Sequence, residues 1–472
     1  MANIQILFHP RKSTSLLLPY PRQKAYSERL LHAINNNFTI QKSNFEIHNQ
    51  KKCTFAVHFN VSKIKHFNNL NTMEILSNRI LNMAESETLA MTAKARELKA
   101  QGKDVISLSI GEPDFNTPDC VKEAAKKAID DNFTHYPPVP GYPDLREAIC
   151  KKFERDNGLH FKPEQIVVST GAKQSIYQLA QVLINPGDEV VIPTPFWVSY
   201  KEIARVAGGE CVYVKTSIEN KFKVTPEQLE KAITPKTKLI MFSTPSNPTG
   251  MLYSKEELRG IADVVARHPQ VFVMADEIYE HINFVGKHES IAQFEEIRDR
   301  VITINGVAKG FAMTGWRIGF IAAPTVIAKA CNKLQGQVTS ATCSIAQKAT
   351  VEAMLMDPTT SKDIISMRET FRQRRDMVYQ LLCEIPGLKV CMPEGAFYFF
   401  PDVSAYYGKS FNGKKIENST DMAFYLLNEA NVATVMGSAF GDDDCIRLSY
   451  ATSEDLLREA LRRMKEAFAN LK

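Results

Sequence analysis

Lys309 lies in INGVAKGFAMTGWRIGF, residues 304–320, among small and apolar neighbours, and Arg317 follows it by eight positions. Burial disfavours an ammonium charge, so a lysine in such a setting needs an anionic partner or a chemical use. A carboxylate, Asp276, closes the apolar run VFVMADE, and Tyr279 comes three residues later. Taken alone, Asp276 would serve equally well as a helix cap. Asn247 is pinned between two prolines in PSNPTG, just beyond the apolar run KLIMFS; the same residues suit an ordinary turn. In STGAKQ, residues 169–174, a strand passes into a helix through Gly171. The amides of Gly171, Ala172 and Lys173, with the helix dipole, form an anion-binding pattern there, although such glycine turns are common. Lysine amines form Schiff bases with carbonyls. An enzyme using pyridoxal phosphate needs that lysine, an acid for the ring nitrogen, donors for the ring hydroxyl and a cup for the phosphate. Lys309, Asp276, Asn247 with Tyr279, and Gly171 to Lys173 with Arg317 supply the four in turn.

The elements that must position these residues follow from the patterning. ESETLAMTAKARELKAQG reads as a helix ended by Gly102, and DVISLSIG as a strand after it. EQIVVSTGAKQSIYQLAQVLI is strand, turn and helix, while DEVVIP, TKLIMFS, VFVMADE and RVITING are short runs apolar on both faces. Such runs predict an α/β fold with a mostly parallel central sheet flanked by helices. After about residue 360 come a long charged helix, two strand-like stretches (GAFYFFPD and CIRLSYA) and a final helix with Leu457, Leu461, Met464 and Phe468 on one face. Thr452 and Asp455 have the spacing of a capping box at its start. This is the pattern of a smaller α+β domain.

Residues 1–72 differ in kind, with ten asparagines, ten Lys/Arg, two Asp/Glu and no sustained period. They read as a basic extension upstream of a start at Met73, the alternative being a leader. The remainder carries 48 basic against 51 acidic residues, so the net charge of +5 comes from the extension. A nearly neutral body argues against nucleic-acid binding. No apolar run approaches the roughly 18 residues of a membrane span. The nine cysteines show no CxxC or Cys/His spacing, which points to reduced thiols, no structural metal site and a cytoplasmic protein, an organellar leader within 1–72 being the other reading. Neither GxGxxG at the glycine turn nor GxxxxGK[ST] anywhere is present.

NPTG, DEIYEH, NGVAKGFAMTGWRIG and RLSYATSE, in that order, make Met73 to Lys472 resemble the fold type I, class I aminotransferases of the 1β (Iγ) subgroup. The resemblance implies a pyridoxal 5′-phosphate enzyme with a large cofactor domain (121–360), an N-terminal segment (73–120) contributing to the small domain, and a C-terminal small domain (361–472). It implies that Arg447 grips the substrate α-carboxylate, that Gly111 offers its backbone N–H to the same group, and that Trp197 stacks on the cofactor ring. Asn247 also borders the substrate in this picture, as does Trp197. Tyr136 would reach a phosphate in the neighbouring subunit of a homodimer with shared active sites. Where many relatives have serine before the lysine, this chain has Ala308. Lys173 with Thr88 resembles the pair that reads the distal carboxylate of a dicarboxylic substrate. The expected reaction is aspartate with 2-oxoglutarate, as in amino-acid biosynthesis, with prephenate to arogenate as a second activity. Aromatic, alanine or kynurenine aminotransferases are the nearest alternatives, and a non-catalytic ligand sensor a remote one.

Overall fold

The computed structural model describes residues 75–472 apart from Ser86, together with three upstream strand segments, Leu7–Phe8, Thr14–Leu17 and Thr54–Val57. The chain divides into two compact units, Met1–Asn82 and Met83–Lys472. In the first, the three segments pair antiparallel in chain order. Strands of two to four residues are too short to show as a period in the sequence.

The second unit is built around seven strands, β1 (Ile166–Ser169), β2 (Glu189–Thr194), β3 (Glu210–Lys215), β4 (Thr237–Ser243), β5 (Phe272–Asp276), β6 (Val301–Gly306) and β7 (Gly319–Ala322). Their order across the sheet is β1-β7-β6-β5-β4-β2-β3. Only β7 runs antiparallel, to both its neighbours; the other pairs are parallel. Alternate residues enter opposite cores: Val168, Val191, Ile240 and Val273 lie in one cluster, and Val167, Val190, Leu239 and Met274 in another. Helices therefore cover both faces, which explains why the strands carry continuous apolar runs rather than alternation.

A second centre lies toward the C-terminus, where Tyr398–Phe399, Ile446–Ser449 and Val435–Met436 form a three-stranded sheet. The long helix Lys362–Cys383 and the last helix Glu454–Asn470 share its core through Phe371, Leu382, Leu457, Leu461 and Met464. The cap of the last helix is Ser453, whose hydroxyl accepts from the Leu456 amide, in place of the expected Thr452. From the N-terminal side, helix Glu87–Ala100 buries Met91 and Ala95 against Val435, Met436 and Phe440. The expected strand DVISLSIG is reduced to Ile106–Ser107, which pairs in parallel with Val432–Ala433. Leu108 still donates to the Ala433 carbonyl at 2.8 Å, while its own carbonyl receives the amide of Ser449 at 2.8 Å. Among the described residues no helix is long and apolar enough to cross a membrane.

Candidate active site

Strands β5 and β6 are parallel neighbours with Asp276 opposite Ile304. Asp276 and Lys309 therefore leave the sheet at the same carboxyl edge, where open α/β sheets bind ligands. Asp276 is buried and caps no helix; its Oδ1 accepts from the Ile278 amide at 3.3 Å and its Oδ2 from the Tyr200 hydroxyl at 2.8 Å. Burial pushes its carboxyl up to about 6 against the lowering effect of those two donors. Neither donor carries a charge, and among the described residues no cation is hydrogen-bonded to this carboxylate; the Lys309 charge lowers it only from a distance.

Lys309 is largely enclosed, its amine donating to the Gly111 carbonyl and lying 5.7 Å from the ring centres of Tyr279 and Phe397. Burial, aided by the positive charges of Arg447 and Arg317, lowers the amine to about 8, although Glu112 and Asp276 oppose the shift. A substantial fraction of the amine is then neutral near physiological pH, as a nucleophile requires.

Helix Ala172–Leu183 opens directly after β1 through Gly171, which has φ 82°. The positive φ at Gly171 requires glycine, and a Cβ there would also meet the Arg317 guanidinium, which would have to shift aside. Arg317, itself in a left-handed conformation, donates to the Thr314 carbonyl at 2.9 Å. The Gly171 amide donates to the Ser169 carbonyl at 2.8 Å, so it is the first helical positions, Ala172 and Lys173, beside the Arg317 guanidinium that could offer backbone N–H groups to an anion. Lys173 lies 4.8 Å over the Trp197 ring, and its amine is lowered by burial and by Arg317.

Arg447, on the strand Ile446–Ser449, is 2% exposed. It donates to the Ser109 carbonyl at 2.6 Å and to Asn247 Oδ1 at 3.1 Å, while its Nε has no partner. Its ring neighbours are Tyr398 at 4.7 Å and Phe440 at 5.0 Å. Among the described residues no carboxylate pairs with this buried guanidinium. An unpaired buried cation is costly, and a planar fork of this kind matches an incoming carboxylate.

Lys309, Asp276, Tyr279, Asn247, Arg447 and Gly111 are therefore brought together, and Gly171, Ala172, Lys173, Arg317 and Trp197 adjoin them. Thr88 lies on helix Glu87–Ala100, and its buried hydroxyl has no hydrogen-bond partner, Lys173 included, among the described residues. Tyr136 is 95% exposed and takes no part in the site of its own chain. The sequence reading missed Tyr200, which holds Asp276, and Tyr398, whose hydroxyl shares a 2.8 Å hydrogen bond with Tyr279. It also missed a polar layer behind the site, in which Glu280 accepts from Lys152, from Asn157 at 3.0 Å and from Asn305 at 2.8 Å. Tyr200 stands three residues after Trp197 in PFWVSY, the one local signal that was available.

A family model for aminotransferase class I and II matches residues 103–464, and the chain belongs to that family. It is 48% identical over 402 residues to an aspartate/prephenate aminotransferase of Cereibacter sphaeroides, covering 84% of this chain and 100% of that protein. Over 399 residues it is 46% identical to a bifunctional aspartate aminotransferase and glutamate/aspartate-prephenate aminotransferase of Petunia hybrida, covering 84% and 83%. Among solved structures, an aspartate aminotransferase from Rhizobium meliloti aligns with TM-score 0.81 at 42% identity, over 84% of this chain and 99% of that one. The Thermus thermophilus aspartate aminotransferase with maleate gives 0.78 at 42%, over 83% and 99%.

Aminotransferases of this family act on amino acids and 2-oxoacids with pyridoxal 5′-phosphate as cofactor. The residues present fit that group. Among the described residues a buried carboxylate has no hydrogen-bonded cation, a shielded amine is lowered to about 8, and a helix start entered through the positive-φ Gly171 lies beside a guanidinium.

Proposed function

We propose that this protein transfers the amino group of aspartate to 2-oxoglutarate, yielding oxaloacetate and glutamate, and that it also converts prephenate to arogenate. The buried, acid-free guanidinium of Arg447 carries the reading, because it asks for a substrate carboxylate next to the Lys309 amine. The names of the relatives support the choice of aspartate and prephenate.

In this proposal Arg447 binds the α-carboxylate through its two forked nitrogens, one of them exchanging Asn247 for the substrate. Lys309 Nζ takes the proton from substrate Cα and releases it on the other side of the reaction. Bound pyridoxal phosphate supplies an electron-accepting ring that stabilises negative charge at Cα. Asp276, fixed by Tyr200 and the Ile278 amide, holds a negative charge against the ring nitrogen, a preorganised electrostatic contribution. Asn247 and Tyr279 are donors to the ring hydroxyl; the Ala172 and Lys173 amides with Arg317 hold the phosphate; Trp197 covers the ring. Lys173 and Thr88, whose buried hydroxyl is left without a hydrogen-bond partner, read the distal carboxylate. Tyr136, exposed in the single chain, completes the phosphate site of a second subunit.

The test is a half-reaction. Cofactor-loaded protein is mixed separately with L-aspartate, L-glutamate, L-phenylalanine and L-alanine while cofactor absorbance is followed and the oxoacids are identified. Fast conversion by aspartate and glutamate is expected. Conversion only by phenylalanine or alanine would overturn the substrate, and near-full turnover by Lys309→Ala would overturn the mechanism.

A further inference from the structure

Tyr398 connects three residues that the proposed reaction uses. It is fully buried on the strand Tyr398–Phe399. Its ring lies 4.7 Å beneath the Arg447 guanidinium. A Cβ on Gly111 would come within 2.5 Å of its hydroxyl oxygen, so the phenol occupies room that only a glycine leaves. Its hydroxyl meets that of Tyr279 at 2.8 Å, and this is the one hydrogen bond either phenol makes among the described residues.

We propose that Tyr398 is a positioning residue whose hydroxyl donates to Tyr279 Oη, leaving the Tyr279 proton to point at the ring hydroxyl of the cofactor. This rests on the role given to Tyr279 in the proposed function. Each phenol has one proton, so one of the pair must donate and the other retains its proton for a third group. The charged and titratable groups facing the pair are Arg447, Asp276 and Lys309. Tyr398 lies 4.7 Å under the always-charged Arg447 guanidinium, nearer than Tyr279 lies to the Lys309 amine at 5.7 Å, and the nearer, permanent cation draws electron density from the Tyr398 hydroxyl and makes it the better donor. Donation to the Tyr279 oxygen polarises the Tyr279 O–H and strengthens its own donation onward. The ring hydroxyl of the bound cofactor is then held ionised to lower pH than Tyr279 alone would achieve.

The experiment is a pH titration of cofactor absorbance in loaded wild-type, Tyr398→Phe, Tyr279→Phe and double-variant protein, without substrate. Tyr398→Phe keeps the ring under Arg447 and removes only the donor. Its transition is expected at higher pH than wild type by about half a unit, with a larger upward shift for Tyr279→Phe. The double variant should coincide with Tyr279→Phe, because Tyr398 acts through Tyr279. Superimposed wild-type and Tyr398→Phe curves, or an equal Tyr398→Phe shift in both backgrounds, would overturn the proposal. A wild-type protein that binds no cofactor would instead overturn the functional reading beneath it. If Tyr398→Phe folds poorly, fluorotyrosine at position 398 serves: its more acidic phenol donates more strongly and should move the transition downward, and an upward move or none would count against the relay.

Discussion

Asp276 illustrates how a residue can be wrong for stability and right for chemistry. Its carboxyl is raised to about 6 by burial, whereas an unfolded aspartate titrates near about 3.9. Below about pH 4 both states are protonated and the residue costs nothing. As pH rises from about 4 to about 6 the unfolded chain ionises first and stability is lost; above about 6 the cost is constant at roughly 2 to 3 kcal/mol. Cofactor-free Asp276→Asn is therefore expected to unfold at higher denaturant concentration than wild type at pH 8, with the difference vanishing near pH 4. The same variant, loaded, should lose turnover by about a hundredfold, since a neutral amide cannot oppose a ring cation. A variant no more stable than wild type at pH 8 would refute the argument. Lys309 gives a complementary prediction. Its amine is lowered to about 8, so capture of added pyridoxal phosphate by cofactor-free protein, followed by stopped-flow absorbance, should quicken about tenfold per pH unit below 8 and level off above it. A flat profile between pH 6 and 8 would show that the free amine is not limiting.

At the scale of elements, the positions of these side chains depend on how β5 and β6 are tied together behind the site. Glu280 follows β5 and accepts from Asn305 on β6, while Asn305 Oδ1 accepts from the Gly306 amide at 2.7 Å. Lys152, 1% exposed in its side chain, neutralises Glu280 from helix Pro143–Asn157. That cation holds the Glu280 carboxyl well below the usual carboxylate range despite complete burial. Lys152→Met would leave the carboxylate buried without its cation, and the expected loss is about 3 kcal/mol or more, read as a lowered unfolding midpoint. An unchanged midpoint would mean that Asn157 and Asn305 suffice. This layer also shows which parts of the site were legible in the sequence. Lys309, Asp276, Asn247 and the Gly171 turn could be read because each ends an apolar run or interrupts one, and because one chemistry needs all four. Tyr200, Tyr398 and Lys152 could not, because a tyrosine among apolar residues reads as core and their partners lie 76, 119 and 128 positions away. The parallel sheet was legible for the same reason as the motifs, through runs apolar on both faces. The shrinkage of DVISLSIG to Ile106–Ser107 was not, because which strand it would pair with depends on tertiary packing.

At the scale of the whole molecule, Tyr136 is the residue that a single chain leaves without a role. A tyrosine 95% exposed in one chain is an unusual position for an aromatic ring unless something covers it. In a homodimer with shared sites, the Tyr136 of one subunit serves the Lys309 of the other. Two inactive or weakened variants should then rescue each other. Lys309→Ala lacks its own amine yet supplies an intact Tyr136, whereas Tyr136→Ala keeps its amine and lacks the phosphate contact from its neighbour. When the two are unfolded together and refolded at equal concentration, half of the dimers are mixed, and each mixed dimer contains one complete site. Activity should rise to about a quarter of wild type, well above the mean of the separate variants. The same mixture made without subunit exchange should show no rise. If refolded mixtures stay at the mean of the two parents while remaining dimeric by sedimentation, Tyr136 does not cross the interface; if they sediment as monomers, the shared site is wrong at its root and each chain must hold its phosphate alone.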